Sequence, residues 1–577
     1  MESQQGRLIC SLAGHEPEIA AAEIQFAEQQ ILERIWRRDH RVWSEDPAEI
    51  SNRLGWLDSP DATAAQVAEI IDFASAVRED GYTNALLLGM GGSSLAAEVF
   101  SRAFGAGPGF LQLEVLDSTH PGAVRACAER LAPEKTLYIV STKSGGTVET
   151  FSFMKFFYNQ ALAGVGREKA GRHFIAITDP GSGLEKAARE LNFRKIFLND
   201  PEIGGRYSAL SLFGIVPAAL LGIDIRLLLE RAAAMARHCR ASVPSENHMD
   251  RPGRLGLILG QMALAGRNKV TFIAPGRLAG FADWLEQLIA ESTGKTGKGI
   301  LPVAGEAMLP PDAYASDRLF VYLHLQDDAT RNAEVGALQA AGHPVVEISC
   351  RDVYDIGAEF FRWEMATAIA CWRMGVHPFN QPDVEAAKVL ARQMLDDVVR
   401  NGKLPQPEAG FTAAGLCVRA GGLAENLNAL WPAFFGKDAR DFRERGHAYI
   451  AIQAYVKPGE GTWRALHEIR TTLQRRYRTA VTVGYGPRFL HSTGQLHKGD
   501  AGQGLFVQIL SRFDNDALIP DHAGSNQAGI SFATLITAQA FGDRQALLEK
   551  NRRVITVQLS EDDASGLAAL LLLLAES

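Results

Sequence analysis

The sequence predicts an α/β protein of doubly wound parallel sheets, two in succession with a third α/β unit behind them. Short apolar runs rich in branched residues alternate with stretches of helical period over most of the 577 residues. Each run leads through a loop into a helix, the pattern of parallel strands covered on both faces. The 55 glycines suit the many tight strand-to-helix loops that such a chain requires.

In chain order, a helical lead-in "EPEIAAAEIQFAEQQILERIW" falls in a segment 1–57. Strands are expected at "NALLLG", "LQLEVLD", "TLYIVST" and "HFIAIT", within a first domain of residues 58–240. "KVTFIA", "RLFVYLHL" and "PVVEIS", closed by the helical "FFRWEMATAIACWRMG", make a second domain over 241–399. "AYIAIQAYV", "TAVTVGYG", "GLFVQIL" and "RVITVQLS" make a third over 400–577, entered through the Gly- and Pro-containing linker "RNGKLPQPEAGFT". A chain of this length exceeds one hydrophobic core, and three domains fit the usual domain size of about 100–200 residues.

Composition removes several function classes. A net charge of -8, with no Lys/Arg run, gives no field for a nucleic acid. Six cysteines (Cys10, Cys127, Cys239, Cys350, Cys371, Cys417) show no CxxC spacing, so neither a disulfide framework nor a structural zinc site is expected, and a reducing, cytoplasmic setting is. The N-terminus has no basic start with a long apolar core, and no stretch is apolar for the ~20 residues that cross a bilayer. The closing "GLAALLLLLAES" reads as a last amphipathic or buried helix.

Ligands of open parallel sheets bind outside the carboxyl ends of strands, so loops at those ends carry the most information. "LLLGMGGSSLAAEVF" sets Gly89, Gly91 and Gly92 directly after a strand, with Ser93 and Ser94 opening a helix. Free N–H groups at such a start can hold an anion, although a strand-to-helix turn can need glycine for geometry alone. A dinucleotide pattern fails at Ser94, where the third glycine belongs, although Asp117 could imitate the ribose-binding acid. "YIVSTKSGGTVETFSF" adds Thr142, Lys143, Ser144 and Thr147 at a second helix start. Its plainer alternative is a Ser/Thr-rich cap with Thr147 as N-cap. Two such loops in one sheet favour a phosphate. "ESTGKTGKG" is no nucleotide P-loop, since Ile289 stands where that pattern needs glycine.

"FADWLEQLIAESTGK" reads as a helix with an apolar stripe of Trp284, Leu285, Leu288 and Ile289. Gln287 and Glu291, four apart, share one side at the stripe's edge, where a carboxylate can serve as a general base or simply be a solvated charge. Taken in order, "GMGGSSL", "STKSGGTVET", "GGRYSALS", "ESTGKTGKGI" and "HPFNQPDVEAAK" resemble the motifs of the phosphoglucose isomerase family over roughly residues 80–390. "NRLGWLDSP" and "VGYGPRFLHSTGQLHKG" look most like the isomerase half of bacterial transaldolase/phosphoglucose isomerase fusions, and no remaining stretch is long enough for a transaldolase barrel.

The resemblance implies two sugar-isomerase (SIS) domains and interconversion of glucose 6-phosphate and fructose 6-phosphate without metal or organic cofactor. Mannose 6-phosphate activity and a non-catalytic sugar-phosphate module are the alternatives. Gly92, Ser93, Thr142, Lys143, Ser144 and Thr147 would hold the phosphate. Glu291 would be the base, Arg206 would stabilise the enediolate and Gln287 would line the site. Lys388 would open the sugar ring with a histidine, and the chain would act as monomer or homodimer. Plainer readings are a surface ion pair for Arg206 and a solvated helix lysine for Lys388. Gly145, Gly146, His377 and Asn380 depart from frequent family residues.

The order of motifs departs too. Common bacterial members carry a "LHSMGQ"-like segment between the glutamate and lysine motifs, whereas "LHSTGQ" here lies about a hundred residues after Lys388, in the third unit. His491 is preferred to His497 for ring opening on that match. Zinc is disfavoured, as the two histidines are six apart with no third ligand near, and no G-x-S-x-G elbow supports a Ser492 nucleophile. A Gly-rich loop with solvated histidines is the plain alternative.

Overall fold

The computed structural model describes residues 7–240, 253–401, 410–424, 426–513, 515–560 and 562–576. The expected boundary after residue 240 and most of the expected linker 400–412 lie outside them. Strand β1 (Arg7–Ser11) precedes the lead-in helices Glu16–Glu28 and Ile31–Trp36, which are separated at Gln30 by a left-handed residue (φ 50°).

The first sheet contains β2 (Asn84–Gly89), β3 (Gln112–Leu116), β4 (Thr136–Ser141), β5 (Phe174–Thr178) and β6 (Lys195–Leu198) in the order β3-β2-β4-β5-β6, with every pair parallel. The winding reverses between β2 and β4, the strands that the two Gly- and hydroxyl-rich loops follow. That switch point is where two loops diverge and a crevice opens. The second sheet joins β7 (Lys269–Ile273), β8 (Leu301–Val303), β9 (Arg318–Leu325) and β10 (Val345–Cys350) in parallel, with β1 antiparallel at the β10 edge.

The third sheet has β11 (Phe411–Ala413), β12 (Leu416–Arg419), β13 (Tyr449–Tyr455), β14 (Ala480–Tyr485), β15 (Gly504–Leu510) and, after a small hairpin of β16 (Leu518–Ile519) and β17 (Ile530–Ser531), β18 (Arg553–Leu559). Its order is β11-β12-β18-β15-β13-β14, parallel from β18 to β14.

Contacts group the chain into two compact units. The first, Met1–Asp117, Leu131–Gly305 and Ser316–Asn380, carries the first two sheets. Their inward residues, Leu87, Ile139 and Ile177 from one and Val270, Leu319 and Val346 from the other, belong to a single hydrophobic cluster. The second unit, Ser118–Arg130, Glu306–Ala315 and Gln381–Ser577, carries the third sheet over Leu416, Trp431, Ile450, Val507 and Leu567. The helix Val384–Asn401 belongs to this unit because it packs on the helix Phe532–Glu549, so the contact boundary falls at Asn380, ahead of residue 400. The closing helix Asp563–Glu576 buries Leu567, Leu570 and Leu574 and packs on the helix Glu460–Tyr477. Among the described residues no helix is long and apolar enough to cross a membrane.

Candidate active site

After β2 the chain turns through Gly91–Ser93 into the helix Leu95–Phe104. Gly91 has φ 54°, and a Cβ on Gly92 would lie 2.0 Å from the Gly205 carbonyl oxygen. Glycine at 92 therefore lets this loop rest directly on the turn that carries Arg206. Ser93 and Ser94 are buried; Ser141 Oγ donates to the Ser93 carbonyl at 2.7 Å and Ser94 Oγ to the Gly91 carbonyl at 3.1 Å.

In the loop after β4, the hydroxyls of Thr142 and Thr147 share a hydrogen bond of 3.0 Å. Thr147 precedes the helix Val148–Val165 but makes no side-chain cap bond, so capping does not account for its hydroxyl. Ser144 Oγ accepts from the Gly146 N–H at 3.4 Å. Lys143 Nζ is held by the Asp179 carboxylate and the Pro201 carbonyl (2.9 Å). Burial pushes the Asp179 carboxyl above its usual value, against the pull of Lys143. Gly145, one of the departures, has φ 61°, and its Cβ would sit 2.6 Å from the Leu184 N–H nitrogen. A side chain is excluded there by both backbone and space.

The helix Phe281–Thr293 buries Trp284, Leu285, Leu288 and Ile289 as its period predicts. Gln287 and Glu291 lie deeper than the rim position expected of them, at 4% and 5% exposure, because every residue from Gln287 to Thr293 is covered. Glu291 Oε2 receives the Gln287 amide at 3.2 Å and lies 3.3 Å from Arg206 Nη1. Arg206, in the turn Gly205–Tyr207, is 5% exposed, which excludes a surface ion pair. Its Nε donates to Ser292 Oγ at 2.9 Å, and its Nη2 to the carbonyls of Pro378 and, at 3.0 Å, Asn380.

Two lysines missed by the motif reading brace the same segment. Lys295 Nζ donates to the His377 carbonyl at 2.6 Å and Lys298 Nζ to the Met374 carbonyl at 2.7 Å. Together with Arg206 they direct three basic side chains at four carbonyls of residues 374–380. Burial, reinforced by Arg206, pushes the Lys295 amine well below its usual value. Both lysines lie in the motif "ESTGKTGKGI", whose spacing assigns neither a partner. His377 Nδ1 accepts from the N–H groups of Phe379 (3.1 Å) and Asn380 (3.3 Å), which assigns its proton to Nε2, 3.1 Å from the Ala48 carbonyl. That substitution thus supplies local hydrogen bonds, and burial moves the ring's pKa down.

In the second unit, Lys388 lies on the helix Val384–Asn401, with 35% of its side chain exposed, and its Nζ is 2.9 Å from Glu385 Oε1. The Lys388 hydrogen bond, above all, holds the Glu385 carboxyl below its usual value against partial burial; the charges of Arg392 and His491 act in the same sense. Lys388 and His491, about a hundred residues apart, thus share one carboxylate's surroundings. His491 ends the turn Arg488–His491, half-buried. His497 is enclosed by Tyr449, Phe489 and Phe506, and burial pushes its pKa well below the usual value.

Parallel doubly wound sheets with hydroxyl-lined loops at a switch point, beside a buried Glu–Arg pair, define an α/β protein of the class whose switch-point loops receive a ligand. The phosphoglucose isomerase family model matches residues 66–300. A glucose-6-phosphate isomerase of Citrifermentans bemidjiense is 30% identical over 391 residues, which is 58% of this chain and 73% of that protein. One from Parabacteroides distasonis is 29% identical over 389 residues, 58% of this chain and 85% of that protein. Among solved structures, a hypothetical protein from Thermus thermophilus superposes with a TM-score of 0.56 at 24% identity, over 67% of this chain and all (100%) of that one. A Chlamydia trachomatis glucose-6-phosphate isomerase gives 0.52 at 17% identity, over 66% and 86%. The chain belongs to the glucose-6-phosphate isomerase (phosphoglucose isomerase) family.

Proposed function

We propose that this protein interconverts glucose 6-phosphate and fructose 6-phosphate through a cis-enediol. The observation that carries the reading is the Glu291 carboxylate, buried beside the Arg206 guanidinium at 3.3 Å. The Gln287 amide donates to Glu291 Oε2 and Arg206 Nη1 lies against the same oxygen, while among the described residues none donates to Oε1. In the proposed step Oε1 takes the proton from carbon 2 of the open aldose and returns it to carbon 1, while the hydroxyl proton passes from O2 to O1. Arg206 offsets the negative charge that develops on the enediolate oxygens, and Gln287 orients the base.

Ser93, Thr142, Ser144 and Thr147, with the backbone amides of their two loops and Gly92, receive the phosphate in this reading. Lys143 shapes the loop through Asp179 and contributes little free charge. Lys388 and His491 serve ring opening, one protonating the ring oxygen while the other receives the anomeric hydroxyl proton. Both lie in one unit of one chain, which favours a monomer over a homodimer that exchanges a histidine, and light scattering tests this. A cytoplasmic setting accompanies the reading, in keeping with six free cysteines.

The test is a coupled assay of the purified chain on fructose 6-phosphate. Glu291→Gln should lower the rate about 10²–10⁴-fold while sugar-phosphate binding persists. An undiminished rate would sink the assignment. A non-catalytic module would show binding and no turnover in the parent protein.

A further inference from the structure

We infer that Asp383 and Gln495 form a clamp that sets Lys388 and His491 in register, a positioning role that rests on the ring-opening reading of those two residues. The Asp383 N–H donates to Gln495 Oε1 at 2.9 Å, and Gln495 Nε2 donates to Asp383 Oδ2 at 2.7 Å, so one side chain makes two bonds to one residue across 112 positions of sequence. Asp383 stands directly before the helix Val384–Asn401, five residues ahead of Lys388. Gln495 stands four residues after His491, in the helix Gly494–Gly499, whose six residues are all buried. Each jaw of the clamp is thus within about one and a half helical turns of a proposed ring-opening group.

Both jaws are themselves held. Lys550 Nζ reaches Asp383 Oδ1 at 2.7 Å. On the other side, Lys498 forms a buried pair with Asp543, and Arg552 donates to the carbonyls of His497 (3.0 Å), Lys498 (2.8 Å) and Asp500 (2.9 Å). Glutamine is the residue type that fits between them. Its amide both accepts from a backbone N–H and donates to a carboxylate, whereas glutamate would repel Asp383 and leucine would leave both groups unpaired. Lys388 pairs with Glu385 at 2.9 Å within its own helix, and what the clamp fixes is the start of that helix against the segment that follows His491.

Ring opening and proton transfer can be read separately in the full-length protein. Exchange between the anomers of glucose 6-phosphate, followed by NMR, reports ring opening. Solvent deuterium incorporation at carbon 2 of a four-carbon aldose 4-phosphate, which cannot close a ring, reports proton transfer. Gln495→Asn withdraws the amide by one methylene and should slow anomer exchange about tenfold or more with little effect on deuterium incorporation, as displaced catalytic groups do. Asp383→Glu in the same chain re-extends the partner and should recover most of that loss. If Gln495→Asn does not fold, Asp383→Ala, which keeps the backbone bond, should show the same selective loss. Equal loss of both rates, or no recovery in the paired variant, overturns the clamp. A parent protein that turns over fructose 6-phosphate without anomer exchange removes the ring-opening reading, and the clamp's role with it.

Discussion

Replacing Arg206 with methionine tests whether the core of the site is a true buried ion pair. The guanidinium holds Glu291 Oε2 at 3.3 Å, Ser292 Oγ at 2.9 Å and two carbonyls, and the two side chains are 5% and 7% exposed. Breaking such a pair from one side strands a buried charge and costs about 3–5 kcal/mol. Arg206→Met should therefore destabilise the first unit by about 4 kcal/mol. Glu291→Gln alone should cost only about 1–2 kcal/mol, because Arg206 keeps its hydroxyl and carbonyl acceptors. In the double variant no carboxylate is stranded, so the two losses should fall short of additivity by about 2 kcal/mol.

Denaturant titration of tryptophan fluorescence suits this test, since Trp36, Trp43, Trp56, Trp284, Trp363 and Trp372 lie in the first unit and only Trp431 and Trp463 in the second. All three variants should lose about 10²-fold or more in rate, whatever their stability, which separates stability from catalysis. Additivity within about 0.5 kcal/mol would refute the argument, since it would mean that Glu291 carries no charge that depends on Arg206.

Three further outcomes are expected. Gly92→Ala forces a methyl to within 2.0 Å of the Gly205 carbonyl and should destabilise the first unit by about 1–3 kcal/mol while raising KM for the sugar phosphate, measured by melting and steady-state kinetics. Thr147→Val should raise KM and cost no more than the bond to the Thr142 hydroxyl, about 0.5–1.5 kcal/mol, since no cap bond is lost; an unchanged KM would mean that the hydroxyl does not meet the phosphate. Burial raises Glu359 from 4.5 to about 7, so its stabilising contribution is complete below pH 4.5 and is lost as pH rises through 7. Glu359→Gln should therefore match the parent at pH 4.5 and exceed it by about 3 kcal/mol at pH 8 in denaturant titrations.

The long parallel strands were legible because they are apolar throughout and bounded by turns; all eleven expected runs form strands. The missed ones are those whose residues carry no such signal. β8 is three residues with Pro302 in the middle, at a sheet edge, and β6 is four residues ending in an exposed Leu198. β1 precedes a strong helical period that dominated the reading of the lead-in. The site divides in the same way. Loops that follow β2 and β4 announce themselves by composition, whereas the depth of Glu291 does not. Its own helix predicts a rim, and the cover comes from the Arg206 turn and neighbouring helices, distant in sequence. Lys143 read as a free cation because its partner, Asp179, is 36 residues away.

The displaced "LHSTGQ" segment shows what motif order does and does not constrain. Its arrival after Lys388 looked like the largest departure from the family pattern, yet Gln495 and Asp383 join the two motifs by a pair of hydrogen bonds. Proton transfer between groups depends on their separation and orientation, and the chain between them matters only through the fold that sets these. Here the fold is the third sheet. β14 ends at Tyr485 and delivers the turn Arg488–His491 at the sheet's carboxyl edge. A doubly wound sheet offers several equivalent loop positions along that edge, so a histidine-bearing segment can change its place in the sequence as long as its anchors are kept. Those anchors are Asp383, Gln495, the Lys498–Asp543 pair and Arg552, which hold the segment that follows His491.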